Sequence, residues 1–311
     1  MTRCLSCYKP LAEAETDFHP ACSRKLFGQP VPPLLPYSED ELEPLAQEVI
    51  RSQISVTGVQ PKLSLHPQQD GNLPRRFMIV GLWGAYILKP PVSQYPQLPE
   101  VEDLTLHLAT LAGIGTVPHS LIRLQSGNLA YITRRVDRQH NAKLAMEDMC
   151  QLTGRMTEDK YLGSYEQIAK AIVRYSSAPG LDLVNFFEIV LFSFLTGNAD
   201  MHLKNFSLVE QPGLGMILSP AYDLVATALV NPADDEELAL TLNGKKKKIT
   251  RKDFESAFRT LRLQEKQQQH IFARMQAAIP AWRRHIGVSF LSQDYQEAYR
   301  HLIETRWERM K

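Results

Sequence analysis

GNADMHLKNFSL, residues 197–208, follows directly on the apolar run VNFFEIVLFSFLT and sets Asp200, His202, Lys204 and Asn205 close together. The run reads as a buried helix, and Phe206 and Leu208 return the chain to apolar character. The stretch therefore admits two readings. It is a polar turn between buried elements, capped by Gly197 and Asn198, or it is a place where chemistry is done.

Its neighbours weigh on that choice. Asp200 and Asn205 stand in D-x-x-x-x-N, the spacing of a protein-kinase catalytic loop, in which the Asp orients the acceptor hydroxyl and the Asn holds a metal ion. Downstream, SPAYDLVA ends an apolar strand at Asp223, where a kinase needs a second carboxylate for Mg²⁺. Upstream, ISVTGVQPKL places Ser55 and Thr57 before Gly58 and Lys62 after it, a loop able to offer N–H groups and hydroxyls to phosphate. Lys89 ends the strand YILK, and Glu102 opens the following helix, placed to pair with it. Taken singly, these residues read as a turn, a strand end, helix-dipole matching and an N-cap. Their order is what points to phosphoryl transfer.

The chain has 311 residues, 44% of them apolar, enough for a substantial core in one large or two ordinary domains. Charge is balanced, 35 Lys and Arg against 34 Asp and Glu, so nothing global points to nucleic acid or a membrane surface. The apolar run around 186–196 is too short to span a bilayer, and MTRCLSCYKPL lacks the apolar core of a signal peptide, so a cytoplasmic protein is expected. Residues 1–28 form a Cys-rich, zinc-knuckle-like start, and 29–50 a Pro-rich linker with a helix beginning near Asp40. Residues 51–137 alternate short strands and turns around one amphipathic helix (99–114), as a small lobe. Residues 138–311 are mostly helical, with short strands at NFSLVE and GMILSP. The pattern predicts an α+β fold with a small β-rich N-lobe and a larger helical C-lobe.

Over roughly 51–300 the chain resembles the HipA-type serine/threonine kinases, and within them the shorter HipT-like toxins. The resemblance is carried by SVTGVQPKL (55–63), YILKPP (86–91), LPEVEDLTLHLATLAGI (98–114), RRVDRQ (134–139), MEDMCQL (146–152), GNADMHLKNFSL and PAYDLV (220–225). It implies a bilobal protein-kinase-like fold that uses ATP and Mg²⁺. It further implies Asp200 as the catalytic residue, with His202 beside it, and Asn205 and Asp223 as Mg²⁺ ligands. Lys89, supported by Glu102, would bind the nucleotide phosphates, and the loop Ser55, Val56, Thr57, Gly58, Val59, Gln60 and Lys62 would cover them. Arg134, Arg135 and Val136 would line the hinge beside adenine, although Arg135 departs from the acidic residue of longer relatives. Ser55 and Thr57 would be autophosphorylation sites, and phosphate there would place negative charge in a pocket meant for phosphate. The family's toxins imply growth arrest through an aminoacyl-tRNA synthetase or other translation protein, and a HipB-like DNA-binding antitoxin. Because only about 50 residues precede the phosphate loop, a separate HipS-like small protein is expected in place of the missing N-terminal subdomain. Neither direct nucleic-acid nor membrane binding is implied. The competing readings are a non-catalytic, pseudokinase-type scaffold and a kinase of small molecules or lipids.

Cys4, Cys7, His19 and Cys22 form C-x2-C-x11-H-x2-C, a Cys₃His set suited to tetrahedral structural Zn²⁺ with no open position; the other reading is a set of small buried thiols. Cys150 reads as a core residue. GKKKK (244–248), next to DDEE (234–237), reads as a solvated hairpin turn rather than a nucleic-acid contact.

Overall fold

The computed structural model describes residues 2–42, 44–45, 62–69, 71–81, 83–139 and 142–311. Ser55, Val56, Thr57, Gly58, Val59 and Gln60 of the phosphate loop lie outside the described residues, as do 46–53 of the helix expected from 40; residues 39–42 and 44–45 are helical. The chain divides into two units, Met1–Asp103 with Val117–Arg135, and Leu104–Thr116 with Val136–Lys311.

In the first unit, short runs rich in apolar residues build strands β1 (Leu63–Gln68), β2 (Arg76–Val80), β3 (Tyr86–Lys89), β4 (His119–Arg123) and β5 (Leu129–Arg134), the last two buried through their centres. They form one antiparallel sheet in the order β2-β1-β3-β5-β4. Leu63, Leu65, Phe77 and Leu88 are buried on it. Gly84 makes the entry to β3 possible, since a Cβ there would sit 2.6 Å from the Leu65 carbonyl oxygen. The register sets Lys89 opposite Tyr131.

The Cys-rich start is built into this unit. Helix α1 (Pro20–Phe27) begins on a proline, whose missing N–H costs nothing in a first turn, and ends at Gly28 in the left-handed region. Phe27 packs against Phe77 and Tyr86 with ring centres 5.9 Å apart in each case, and the Tyr86 hydroxyl donates to the Leu26 carbonyl at 3.0 Å. Arg123 of β4 makes a two-nitrogen ion pair with Asp17 at 2.8 and 3.1 Å. Helix α2 (Leu98–Leu111) supplies residues to both units, and the division falls after Asp103.

The second unit is organised by helices. α3 (Met149–Leu152), α4 (Tyr165–Tyr175), α5 (Pro179–Thr196), α6 (Thr227–Val230), α7 (Arg251–Thr260), α8 (Glu265–Ile286) and α9 (Gln293–Glu308) follow in chain order. α5 is apolar on nearly every face, and Phe186, Phe187, Phe192 and Phe194 are each fully buried. Phe187 meets Phe258 edge-on at 5.0 Å, and Phe192 meets Trp282 at 5.6 Å, while the Trp282 indole N–H donates to the Leu108 carbonyl at 2.8 Å. The helix is longer than the 186–196 run suggested: 18 residues, apolar enough to cross a membrane by length and composition. It is 72% buried inside the protein, which makes it the core helix of this unit.

After the short pair β6 (Arg138–Gln139) and β7 (Ala142–Lys143), a three-stranded sheet, ordered β10-β9-β8, lies among these helices and contains β8 (Met146–Asp148), β9 (Ser207–Gln211) and β10 (Gly215–Leu218). MEDMCQL is therefore not helical throughout, as its place in a helical segment had suggested. Its first three residues pair with β9, Met146 opposite Val209, and only then does α3 begin, on a capping box between Asp148 and Gln151. Cys150 is buried, as expected of a core residue. The basic run at 245–247 is neutralised where it stands: Lys245 pairs with Asp253, Lys246 with Glu236 and Lys247 with Asp235.

Candidate active site

The loop after α5 is built from its backbone outward. Gly197 ends the helix at φ 79°, and a Cβ there would lie 2.6 Å from Leu302 Cδ2 and 3.0 Å from Ala228 Cβ. Gly197→Ala is therefore expected to lower unfolding stability by about 2 kcal/mol, through combined φ strain and overpacking, measurable by urea denaturation. Beyond it the chain is pinned at successive residues. Asn198 Oδ1 accepts from the Asp200 N–H at 3.0 Å, and Thr227 Oγ1 accepts from the Ala199 N–H at 2.8 Å. The Tyr165 hydroxyl donates to the Met201 carbonyl at 3.1 Å, and the Leu203 N–H donates to the Lys160 carbonyl at 3.1 Å. Met201 and Leu203 plug the loop into the core with no exposure. Residues of alternating character thus anchor one side of the loop and turn Asp200, His202 and Asn205 to the other.

Those three residues are linked through the Asp200 backbone and the Tyr161 side chain. Asn205 Nδ2 donates to the Asp200 carbonyl at 2.8 Å, so the amide oxygen is the end suited to a cation. The Tyr161 hydroxyl donates to Asp200 Oδ1 at 2.5 Å, and its ring meets His202 edge-on at 4.9 Å. Burial and the Asp200 charge hold the Tyr161 phenol well above its ordinary value. His202, 6% exposed, is pulled down to about 4 by burial, with the Lys160 charge adding to it and the charges of Asp200 and Asp223 opposing. It is a neutral imidazole at pH 7. Lys204 points to Asp148, with a 2.8 Å ion pair, and so braces the loop against β8.

Asp223 follows the β9–β10 hairpin. It adopts φ 53°, uncommon outside glycine, between Tyr222 and the fully buried Leu224. The Tyr222 hydroxyl donates to the Lys204 carbonyl at 3.0 Å, tying the Asp223 turn back to the loop of Asp200. The Ala221 N–H donates to the Gly115 carbonyl at 2.8 Å. The Asp223 carboxylate and the Asn205 amide oxygen are hard donors of the chemical kind Mg²⁺ takes.

In the first unit, Lys89 Nζ lies 2.5 Å from Glu102 Oε1, with side-chain exposures of 3% and 0%. The same ammonium sits 5.3 Å from the centre of the Tyr131 ring. The expected Lys–Glu pair is therefore present, buried rather than at the surface. Lys62 is exposed just ahead of β1. Arg134 closes β5 with its N–H on the Pro118 carbonyl, and the Arg135 N–H bonds the Ala85 carbonyl, both at 2.9 Å. Val136 begins the longer segment of the second unit.

The Cys/His set is brought together as well: one ligand atom each from Cys4, Cys7, His19 and Cys22 lies within 4.8 Å of every other. Tyr161, Tyr165 and Thr227, which shape the Asp200 loop, carry no motif. Tyr161 stands 39 residues before Asp200, and no periodicity or spacing connects the two.

A family model for the HipA-like C-terminal domain matches residues 54–282. A Haemophilus influenzae protein named "Putative kinase" is 31% identical over 213 residues, covering 63% of this chain and 59% of its own length. The serine/threonine-protein kinase toxin HipA of Shewanella oneidensis is 27% identical over 216 residues, 62% of this chain and 47% of its own. The chain thus spans about half the length of the curated relatives it matches. Among solved structures, Shewanella oneidensis HipA, in a complex with HipB and operator DNA, superposes with a TM-score of 0.69 at 22% identity, covering 85% of this chain and 70% of its own. The Helicobacter pylori proinflammatory kinase CtkA superposes at 0.56 and 16% identity, covering 80% and 93%. These likenesses show a shared α+β kinase-like fold. The chain belongs to the HipA-like C-terminal domain family.

Proposed function

We propose that the protein transfers the γ-phosphoryl group of ATP to a serine or threonine hydroxyl of another protein. The observation that carries this reading is the pinned loop, in which Asn205 is bonded to the Asp200 backbone while Asp200 itself is held by Tyr161. In this reading Asp200 Oδ2 takes or orients the proton of the acceptor hydroxyl, since Oδ1 is engaged by Tyr161. Neutral His202 fills the wall of the site without adding positive charge. Lys89, fixed by Glu102, meets the phosphates of the nucleotide, and Ser55–Lys62 covers them. Mg²⁺, held by Asn205 and Asp223, would offset the charge of those phosphates. The residues do their work by position and charge, with no covalent intermediate on the protein. Arg134, Arg135 and Val136 are the proposed neighbours of adenine.

The biological setting belongs to the same proposal: a HipT-like, cytoplasmic toxin acting on an aminoacyl-tRNA synthetase or other translation protein. A HipB-like antitoxin and a HipS-like small protein would restrain it, and phosphorylation of Ser55 or Thr57 would switch it off. HipB accompanies the Shewanella HipA structure, which supports a partner of that type here. A phosphoproteome taken before and after induction tests the setting. New phosphoserine or phosphothreonine on one translation protein is expected; phosphate appearing only on a metabolite or lipid would replace the protein acceptor.

Tyr161 offers a finer test of the loop. Tyr161→Phe is expected to lower turnover roughly fivefold, because Asp200 then samples other rotamers. Thermal stability should change little, since Tyr161 is 39% exposed. Steady-state kinetics beside a melting curve measures both.

A further inference from the structure

Residues 2–28 contain one two-turn helix and a tight hairpin, packed on the sheet of the first unit through Phe27 and Asp17. Within them the segment gathers four ligand-type side chains. The hairpin brings Arg3 opposite Pro10 and folds back through Tyr8 N–H to the Cys4 carbonyl at 2.9 Å, which points Cys4 and Cys7 the same way. α1 supplies the rest, His19 at its N-cap and Cys22 in its first turn. His19 Nε2 lies 3.0 Å from the Pro10 carbonyl. Donation there fixes the tautomer whose lone pair is on Nδ1, the nitrogen that faces Cys7 Sγ at 3.4 Å and Cys22 Sγ at 3.9 Å. A ligating imidazole is oriented in this way by a carbonyl on its far nitrogen. In tetrahedral zinc the edge between two thiolate sulfurs is about 3.8 Å, so ligand atoms within 4.8 Å of one another close on an ion by small side-chain rotations.

The same hairpin reaches the Lys89–Glu102 pair. Tyr8, directly after Cys7, takes the left-handed conformation at φ 62°, which sends its side chain inward, 2% exposed. Its hydroxyl donates to Asp103 Oδ2 at 2.7 Å, and His119 Nδ1 lies 2.7 Å from Oδ1 of the same carboxylate. Asp103 is the residue after Glu102 on α2. The His119 ring stacks on Tyr131 at 6.3 Å and 22°, the ring beneath the Lys89 ammonium. A continuous set of contacts thus runs from the Cys/His cluster to both members of the buried pair.

We propose that Cys4, Cys7, His19 and Cys22 bind one Zn²⁺, and that the bound ion holds Tyr8 on Asp103 and so fixes the start of α2 where Glu102 meets Lys89. Binding displaces the three thiol protons to solvent and uses His19 neutral, with no change of oxidation state. The ion is closed off by four protein ligands and takes no part in chemistry, and Tyr8 is a positioning residue. Only the consequence for activity rests on the kinase reading; binding and positioning stand without it.

Elemental analysis and native mass spectrometry of the full chain are expected to give one zinc per molecule, lost in Cys7→Ser/Cys22→Ser. Failure to take up zinc with the thiols reduced would overturn the site. Hydrogen–deuterium exchange then tests the positioning. Removing zinc from the wild-type chain with a chelator should speed amide exchange over 98–103 about tenfold, and adding zinc back should restore it. Tyr8→Phe should keep the zinc and show the same acceleration. Unchanged exchange over 98–103 in both cases would overturn the positioning and leave a zinc site of purely local effect. Neither readout needs phosphoryl transfer, so its failure and that of the kinase reading are distinguishable.

Discussion

Asp200→Asn lowers phosphoryl transfer by about a thousandfold and leaves the fold intact; that is the expected result of the first substitution to make. The backbone of residue 200 and its side chain have separate partners. Its N–H and carbonyl are engaged by Asn198 and Asn205, and neither bond depends on the carboxylate. The Tyr161 hydroxyl can donate to an amide oxygen as it does to Oδ1. The loop therefore keeps its shape, and the melting temperature should move little. What is lost is the negative charge and basicity proposed to act on the acceptor hydroxyl, an effect on the order of 10²–10⁴ when a positioned base is removed. A single-turnover assay with labelled ATP, run beside a thermal melt, reads both. Full transfer by the variant would remove Asp200 from the centre of the mechanism.

The second large effect concerns stability as much as activity. Lys89→Met should cost about 3–5 kcal/mol, the range for breaking a buried ion pair from one side. Glu102 is fully buried on α2 and would lose the cation 2.5 Å away. Lys89→Met/Glu102→Leu replaces both charges by apolar groups of similar volume and should recover most of that loss. Neither variant should bind ATP normally, because the proposed phosphate-pairing ammonium is absent from both. Denaturant titrations and nucleotide-binding calorimetry on the three proteins separate the two roles. Recovery of nucleotide affinity in the double variant would show that Lys89 is a structural residue only.

The parts of this architecture legible in the sequence are those encoded locally. Strand, turn and strand over 76–89, the helix carrying Glu102 and the loop after α5 all follow from short-range alternation, helical spacing and turn residues. Lys89 at a strand end and Glu102 early in the next helix were placed to meet; their near-complete burial was not legible, since it depends on what covers β3. β8 was hidden because three residues are too few to show a period, and Asp148 reads equally as a helix start, which it also is. Long-range hydrogen bonds left no trace. Tyr161 reaches Asp200 across 39 positions and Tyr8 reaches Asp103 across 95, each from a stretch where a tyrosine reads as an ordinary spacer. The Cys/His spacing picked out four residues that the fold brings together, whereas their connection to the Glu102 helix appears only once the sheet and α1 are assembled.

The most direct test of the central claim is phosphopeptide mass spectrometry after incubation with Mg-ATP, alone and with a cell lysate, for the wild-type chain and Asp200→Asn. New phosphoserine or phosphothreonine, on Ser55, Thr57 or a lysate protein, is expected with wild type and none with the variant. Absence of any such phosphate with wild type, or equal phosphate with the variant, would contradict that claim.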